Sequence, residues 1–255
     1  MASKIIGFDE IKENKGNVIW RAALAEFVGN LLLNLFGCAT VVLSFAPLET
    51  ALTFGFMIYL LVQTLGHVSG GHFNPAVSIA MFATCNIGLI KLAIYIAAQC
   101  AGAIAGSAIL KLLAPGNYEG NYGNTVVNEE LINVWQAIAY EFFLGFILVF
   151  VVFGFCDPDR PETNYTGSLA VGISIAVGHI AFIDVTGSSM NPARSLGSAM
   201  ISNGWKDHYV FWVGPIAGAV VAALLYRWIF AQRDLGYQSV PSDEQPHGAD
   251  KKQTA

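Results

Sequence analysis

A chain of 255 residues that is 55% hydrophobic and only 12% charged, with a mean hydropathy of +0.54, is too apolar for a water-soluble domain, so its expected solvent is the bilayer. Its formal net charge of −5 excludes a nucleic-acid binder, which needs a basic face. Cys38, Cys85, Cys100 and Cys156 lie in or beside apolar runs without C-x-x-C spacing or neighbouring histidines, which argues against a disulfide framework or a zinc site.

The N-terminal segment 1–17, with Asp9, Glu10, Lys12, Glu13 and Lys15, lacks the apolar core of a signal peptide and reads as a cytoplasmic tail. Six stretches then reach the roughly 20 apolar residues that a membrane-crossing helix needs. They are Val18–Phe45, Leu48–His67, Gly88–Leu113, Leu131–Cys156, Gly167–Asp184 and Tyr209–Ala231. Asn74–Thr84, before the third, and Asn191–Ile201, before the sixth, are apolar but about half as long, as expected of re-entrant segments. Gly and Ala crowd the third and sixth spans, where small side chains let backbones approach in lipid. From Gln232 onward the chain turns polar, and a disordered cytoplasmic tail is expected over 232–255, in which Ser239 and Ser242 have no convincing kinase context.

An even number of spans puts both termini on one side. Ten of the thirteen basic residues then share that side, leaving Lys111, Arg194 and Lys206, so it is expected to be the cytoplasm. Asn164-Tyr165-Thr166 fits the glycosylation pattern but falls on the cytoplasmic face in this topology, so no glycan is expected there.

One tripeptide opens both short segments: Asn74-Pro75-Ala76 and Asn191-Pro192-Ala193, 117 residues apart. The match extends outward. Val68-Ser69-Gly70 is echoed by Val185-Thr186-Gly187, Ala25-Glu26-Phe27 by Tyr140-Glu141-Phe142, and Ala101-Gly102-Ala103 by Ala217-Gly218-Ala219. The chain is a duplication, with repeat 1 at about 18–113 and repeat 2 at about 131–231. Because each repeat holds three spans, the second enters the membrane from the opposite face. The predicted fold is therefore an all-α membrane protein of six transmembrane helices plus two re-entrant half-helices in an inverted repeat. A single Asn before Pro is an ordinary helix start, with Asn as cap and Pro in the first turn. Two such starts meeting inside a membrane protein imply buried backbone around a watery path.

These boxes, the two Glu-Phe repeats and the Gly66-His67-Val68-Ser69-Gly70-Gly71-His72-Phe73 approach resemble the aquaporin (major intrinsic protein) family over residues 18–231, with the texture of water-selective animal members, the insect type among them. The resemblance implies a passive water channel driven by osmotic gradients. The amides of Asn74 and Asn191 would point into the lumen as donors beside two helix ends of about +0.5 charge each. Water must then offer its oxygen, cations meet a barrier and the proton wire is interrupted, as is known for pores of this family. Carbonyls of Gly70, Gly71, His72, Gly187, Ser188 and Ser189 would form a polar stripe opposite an apolar wall. A selectivity filter would fall on Phe54, His179, Ser188 and Arg194.

In isolation a Phe on an apolar helix is packing, and a membrane His can be an interhelical hydrogen-bonder. A guanidinium at membrane depth reads as functional by default, as do the buried carboxylates Glu26 and Glu141. The resemblance instead gives the two glutamates a supporting role, accepting hydrogen bonds from the loop backbones. It also implies a homotetramer in the plasma membrane, with the lipid bilayer and permeating water as its partners and no nucleic acid, no cofactor, no metal and no enzymatic activity. Ser188 stands where water channels commonly carry a mercury-sensitive cysteine, so a mercury-resistant pore is expected.

Two rival functions remain. A glycerol or urea facilitator of this family typically has Asp directly after the Arg and a small residue in place of the His, where this chain has Ser195 and His179; Ala199, Phe211 and Trp212 also match water-channel types. A junctional or adhesive protein of low conductance would have to build its adhesive face from the loop Ala114–Glu130.

Overall fold

A computed structural model describes residues 5–7, 17–159 and 166–231. The two tails expected over 1–17 and 232–255 therefore lie almost wholly outside the described residues, as do Arg160, Asn164, Tyr165, Ser239 and Ser242. Six long helices are apolar enough to cross a membrane: α1 (Asn17–Val42), α2 (Pro47–Ser69), α4 (Leu89–Leu113), α5 (Val134–Phe155), α6 (Gly167–Thr186) and α8 (Val210–Leu225). The half-helices α3 (Pro75–Ala83) and α7 (Pro192–Ser202) complete the set, and no strand occurs among the described residues. A wider turn, Tyr226–Phe230, extends α8 and closes with Ala231 N–H on the Tyr226 carbonyl at 2.8 Å.

Local chemistry sets the boundaries. The span expected from Leu131 starts instead at Val134, because Asn133 and Gln136 cap it reciprocally: Gln136 N–H donates to Asn133 Oδ1 at 3.0 Å and Asn133 N–H to Gln136 Oε1 at 2.9 Å. Pro47 opens α2, with Glu49 reaching back to the Ala46 N–H. Gly70 and Gly187 end α2 and α6 in the left-handed conformation, at φ 93° and 77°.

The duplication is visible in the packing. α1 pairs with α4 and α5 with α8, while α2 and α6 join the two halves. Glycines make these crossings possible. A Cβ at Gly102 would lie 2.1 Å from the Phe27 carbonyl oxygen, and one at Gly218 would lie 1.9 Å from that of Phe142, its equivalent. At the centre Gly55 and Gly172 meet reciprocally, each hypothetical Cβ 2.6 Å from the other's carbonyl oxygen. Outward faces carry Phe36, Leu60, Phe143 and Val177, all exposed, as suits lipid contact, while Glu26, Asn34, Gln99 and Glu141 are buried.

Candidate functional site: a pore between two half-helices

Each half-helix is preceded by a loop whose backbone amides have no helical partner, and a buried carboxylate supplies one. Glu26 of α1 accepts from the His72 N–H at 3.0 Å, the Phe73 N–H at 2.6 Å, the Ser69 hydroxyl at 2.6 Å and the Gln99 amide at 2.8 Å. That fills all four acceptor sites of an ionised carboxylate. Glu141 of α5 does the same for the other loop, accepting from the Ser189 N–H at 2.9 Å, the Met190 N–H at 3.1 Å and the Thr186 hydroxyl at 2.7 Å. These donors keep two buried carboxylates from being left unpaired in an apolar surround. Their geometry is that of a loop support.

The loops can fold this way because they turn through left-handed backbone. Gly71 has φ 65°, and Ser188, at the equivalent place, has φ 46°; Phe73 and Met190 follow at 47° and 53°. Glycine is thus present at only part of the strained positions; the glutamates hold Phe73 and Met190, and the Thr186 hydroxyl accepts from the Ser188 N–H at 3.1 Å.

Asn74 and Asn191 cap the half-helices and clasp one another's loops. Asn74 Oδ1 accepts from the Ala76 N–H at 2.8 Å, and Asn191 Oδ1 accepts from the Ala193 N–H at 3.0 Å and the Arg194 N–H at 3.3 Å. Across the contact, Asn74 Nδ2 donates to the Met190 carbonyl and Asn191 Nδ2 to the Phe73 carbonyl, both at 2.8 Å. One hydrogen of each amide is engaged by the opposite loop. The second is the donor each asparagine can offer to a passing molecule.

A narrow cavity of about 40 Å³ runs past this clasp. Its lining combines polar residues, Gly71, His72, Asn74, Ser189 and Asn191, with apolar ones, among them Leu33, Ile58, Val77, Leu148, Val171 and Ile175. Since a water molecule needs at least about 10–15 Å³ measured this way, the volume admits only a few waters at once. A wider cavity of about 250 Å³ lies beyond, bounded by Phe45, Thr50, Gly123, Asn124, Gly187 and Arg194.

Arg194 borders both cavities and marks the partition. Its Nη1 donates to the Gly123 carbonyl at 2.6 Å, and its guanidinium carbon lies 4.8 Å from the centre of the Phe54 ring. Phe54 stacks on His179 with ring centres 4.7 Å apart. His179 Nδ1 is 3.0 Å from the Ile175 carbonyl, which can only accept, so Nδ1 carries the hydrogen and Nε2 an open lone pair. Neither His179 Nε2 nor Arg194 Nε has a protein partner. One acceptor and one donor beside the cavity are thus left without a bond inside the protein.

The duplication shows how one-sided this partition is. The repeat equivalents of Phe54, His179 and Arg194 are Val171, Val62 and Val77. This cluster of charge and aromatic rings occurs on one side only.

The sequence profile of the major intrinsic protein family, which contains the aquaporins, matches residues 13–226. The chain belongs to this family. It is similar to Aquaporin-4 of Bos taurus, at 42% identity over 219 residues covering 83% of this chain and 68% of the relative. Aquaporin-2 of Homo sapiens is 40% identical over 214 residues, covering 82% of this chain and 78% of that one. A solved structure described as the aquaglyceroporin from Plasmodium falciparum superposes with a TM-score of 0.69 at 26% identity, covering 83% of this chain and 96% of the other. The protein is thus a multi-pass membrane channel of the aquaporin family, whose members are not enzymes.

In this aquaporin-family channel the structure gathers Asn74, Asn191, Phe54, His179 and Arg194 around the cavities, with Pro75, Ala76, Pro192 and Ala193 buried in the first turns of the half-helices. Gly71, His72 and Ser189 line the narrow cavity and Gly187 the outer one, whereas Gly70 borders neither. Ser188 is fully buried, its hydroxyl on the Gly178 carbonyl at 3.2 Å, and its side chain is turned away from both. Sequence reasoning missed Gly123, whose carbonyl holds Arg194. It also missed Asn34, which donates to the Arg194 carbonyl at 3.0 Å, and Gln99 beneath Glu26. Two asparagines inside an apolar span were a usable signal for the α1 contact; nothing local marks a single loop carbonyl.

Proposed function

We propose that the protein is a water-selective passive channel driven by osmotic gradients. The observation that carries this reading is the partition formed by Phe54, His179 and Arg194 between the two cavities, where stacked rings and a guanidinium narrow the passage. His179 Nε2 and Arg194 Nε, both without a protein partner, would offer a permeant one lone pair and one N–H. A carbon backbone would have to pass the same gap with less to bond. Deeper in, the free hydrogens of Asn74 and Asn191, backed by two positive helix ends, bind the water oxygen and disfavour cations. Arg194, in no ion pair with a described carboxylate, adds a positive charge in the cation path.

The names of the relatives support water as the permeant: both are aquaporins at 40–42% identity. The solved neighbour is described as an aquaglyceroporin, which favours glycerol as the second reading. Against it, Ser195 is fully buried and hydrogen-bonded to Thr125 and Ser189 at 2.8 and 2.6 Å, a compact hydroxyl cluster in the place of the facilitators' Asp. The proposal includes a homotetramer with one pore per chain, placement in the plasma membrane and both termini in the cytoplasm, supported by family membership and by the distribution of basic residues.

Proteoliposome light scattering tests it. Rapid shrinkage in sucrose with no reswelling in glycerol is expected. Reswelling in glycerol as fast as in glycerol-facilitator controls contradicts water selectivity, and vesicles that shrink no faster than protein-free ones contradict a channel and favour the adhesive reading.

A further inference from the structure

The two repeats differ at one buried seam. In repeat 2, α5 and α8 meet at Gly145 and Pro215, where a Cβ on Gly145 would lie 2.3 Å from the Pro215 carbonyl oxygen. The equivalent positions on α1 and α4 are Asn30 and Gln99; one turn and two turns further on, Asn34 and Ser107 stand where repeat 2 has Val149 and Ala223. All four polar residues are completely buried, and none lines the pore cavity. Since the same scaffold closes over apolar residues in repeat 2, helix packing does not require this polar set.

Its hydrogen bonding is incomplete in a specific way. Asn30 Nδ2 donates to the Glu26 carbonyl at 3.1 Å, Gln99 Nε2 to the Glu26 carboxylate at 2.8 Å, and Asn34 Nδ2 to the Arg194 carbonyl at 3.0 Å. No protein donor reaches Asn30 Oδ1, Gln99 Oε1 or Asn34 Oδ1. Turning the amides over does not help, because each nitrogen faces a group that can only accept, and the reversed amide would set oxygen against oxygen. The orientations are pinned, and the buried oxygens require donors from outside the chain. Asn30 bonds the Glu26 carbonyl and Gln99 its carboxylate, and their repeat 2 equivalents touch, so both residues stand at one helix crossing.

We propose that the α1–α4 seam holds ordered water bridging Asn30 Oδ1 and Gln99 Oε1, a blind hydration site behind the pore wall and separate from the conducting file. Water brings two donors to two acceptors without adding charge. Through Gln99 and Glu26 the site supports the amides of His72 and Phe73. It is independent of whether the pore passes water alone or glycerol as well.

A crystal structure of the full chain in lipid, at a resolution that shows solvent, decides the matter. Density within hydrogen-bonding distance of both oxygens is expected, and Asn30→Leu should remove it and lower the melting temperature of the purified protein. A dry seam overturns the proposal, as does Asn30→Leu raising the melting temperature, the response to deleting an oxygen that had no partner. Density that disappears when Na⁺ and K⁺ are replaced by choline overturns the assignment to water. The parent map needs no variant, so misfolding of Asn30→Leu leaves the test intact.

Discussion

Gly123→Ala tests whether Arg194 is positioned by the loop carbonyl opposite it. Gly123 has φ 73°, a left-handed conformation that costs an L residue about 1–2 kcal/mol. The new methyl would lie 2.7 Å from Cys38 Cβ and 2.9 Å from its Sγ, where ordinary contact begins at 3.4 Å, so the loop must retreat by about 0.7 Å. A shift of that size along the 2.6 Å bond from Arg194 Nη1 takes it to about 3.3 Å, and a bond to a charged group contributes about 1.5–3 kcal/mol. The expected loss is about 2.5–5 kcal/mol where the stretched bond is given up entirely, with the guanidinium freed to swing into the outer cavity. Thermal melting of purified protein reads the stability, and stopped-flow scattering of proteoliposomes reads water and glycerol flux. Gly123→Ala should melt earlier and lose glycerol exclusion, and Cys38→Gly in the same chain should restore part of both by removing the overlap while leaving the backbone cost. If Gly123→Ala keeps the parent's melting temperature and selectivity, the loop carbonyl does not position the arginine.

Replacing both filter groups, His179→Ala with Arg194→Val, gives this side of the pore the small and apolar character that their repeat 1 equivalents Val62 and Val77 have on the other; glycerol uptake should rise to facilitator levels, and unchanged exclusion would remove the filter assignment. Ser188→Cys should respond to mercuric chloride no more strongly than the parent, because residue 188 is fully buried and lines neither cavity; inhibition of Ser188→Cys beyond that of the parent would place this side chain in the lumen. Outside the spans, His208 accepts from Trp212 Nε1 at 3.1 Å through its Nε2, and burial lowers its pKa from the ordinary 6.5. The unfolded chain therefore takes up a proton more readily than the folded one, so this contribution is complete above pH 6.5 and is lost as pH falls below it. The melting temperature should drop between neutral and mildly acidic pH, and His208→Gln should flatten that slope; equal slopes refute the assignment.

The spans and half-helices were legible because hydropathy and the repeated Asn-Pro-Ala boxes report directly on a bilayer solvent and on capped helix starts. The partner of each buried carboxylate was legible by position, since Glu26 and Glu141 recur at matching places. The reciprocal use of the Asn74 and Asn191 amides was not, because a bond from one side chain to the carbonyl of Met190 or Phe73 leaves no mark on residue type. The Ser188 side chain lies off both cavities for a related reason: sequence gives its place in the chain, while its burial follows from a left-handed backbone at φ 46° that residue type does not announce. The start of α5 shifted from Leu131 to Val134 because a capping pair outweighed the apolar character of the residues before it.

The most direct test measures osmotic water flow and proton flux through the same purified protein in proteoliposomes loaded with a pH-sensitive dye. Rapid osmotic shrinkage with proton flux no greater than in protein-free vesicles is predicted, because the clasped asparagines and facing helix ends orient each water and break the wire. Proton flux that rises in step with water flow as protein is added would contradict the account.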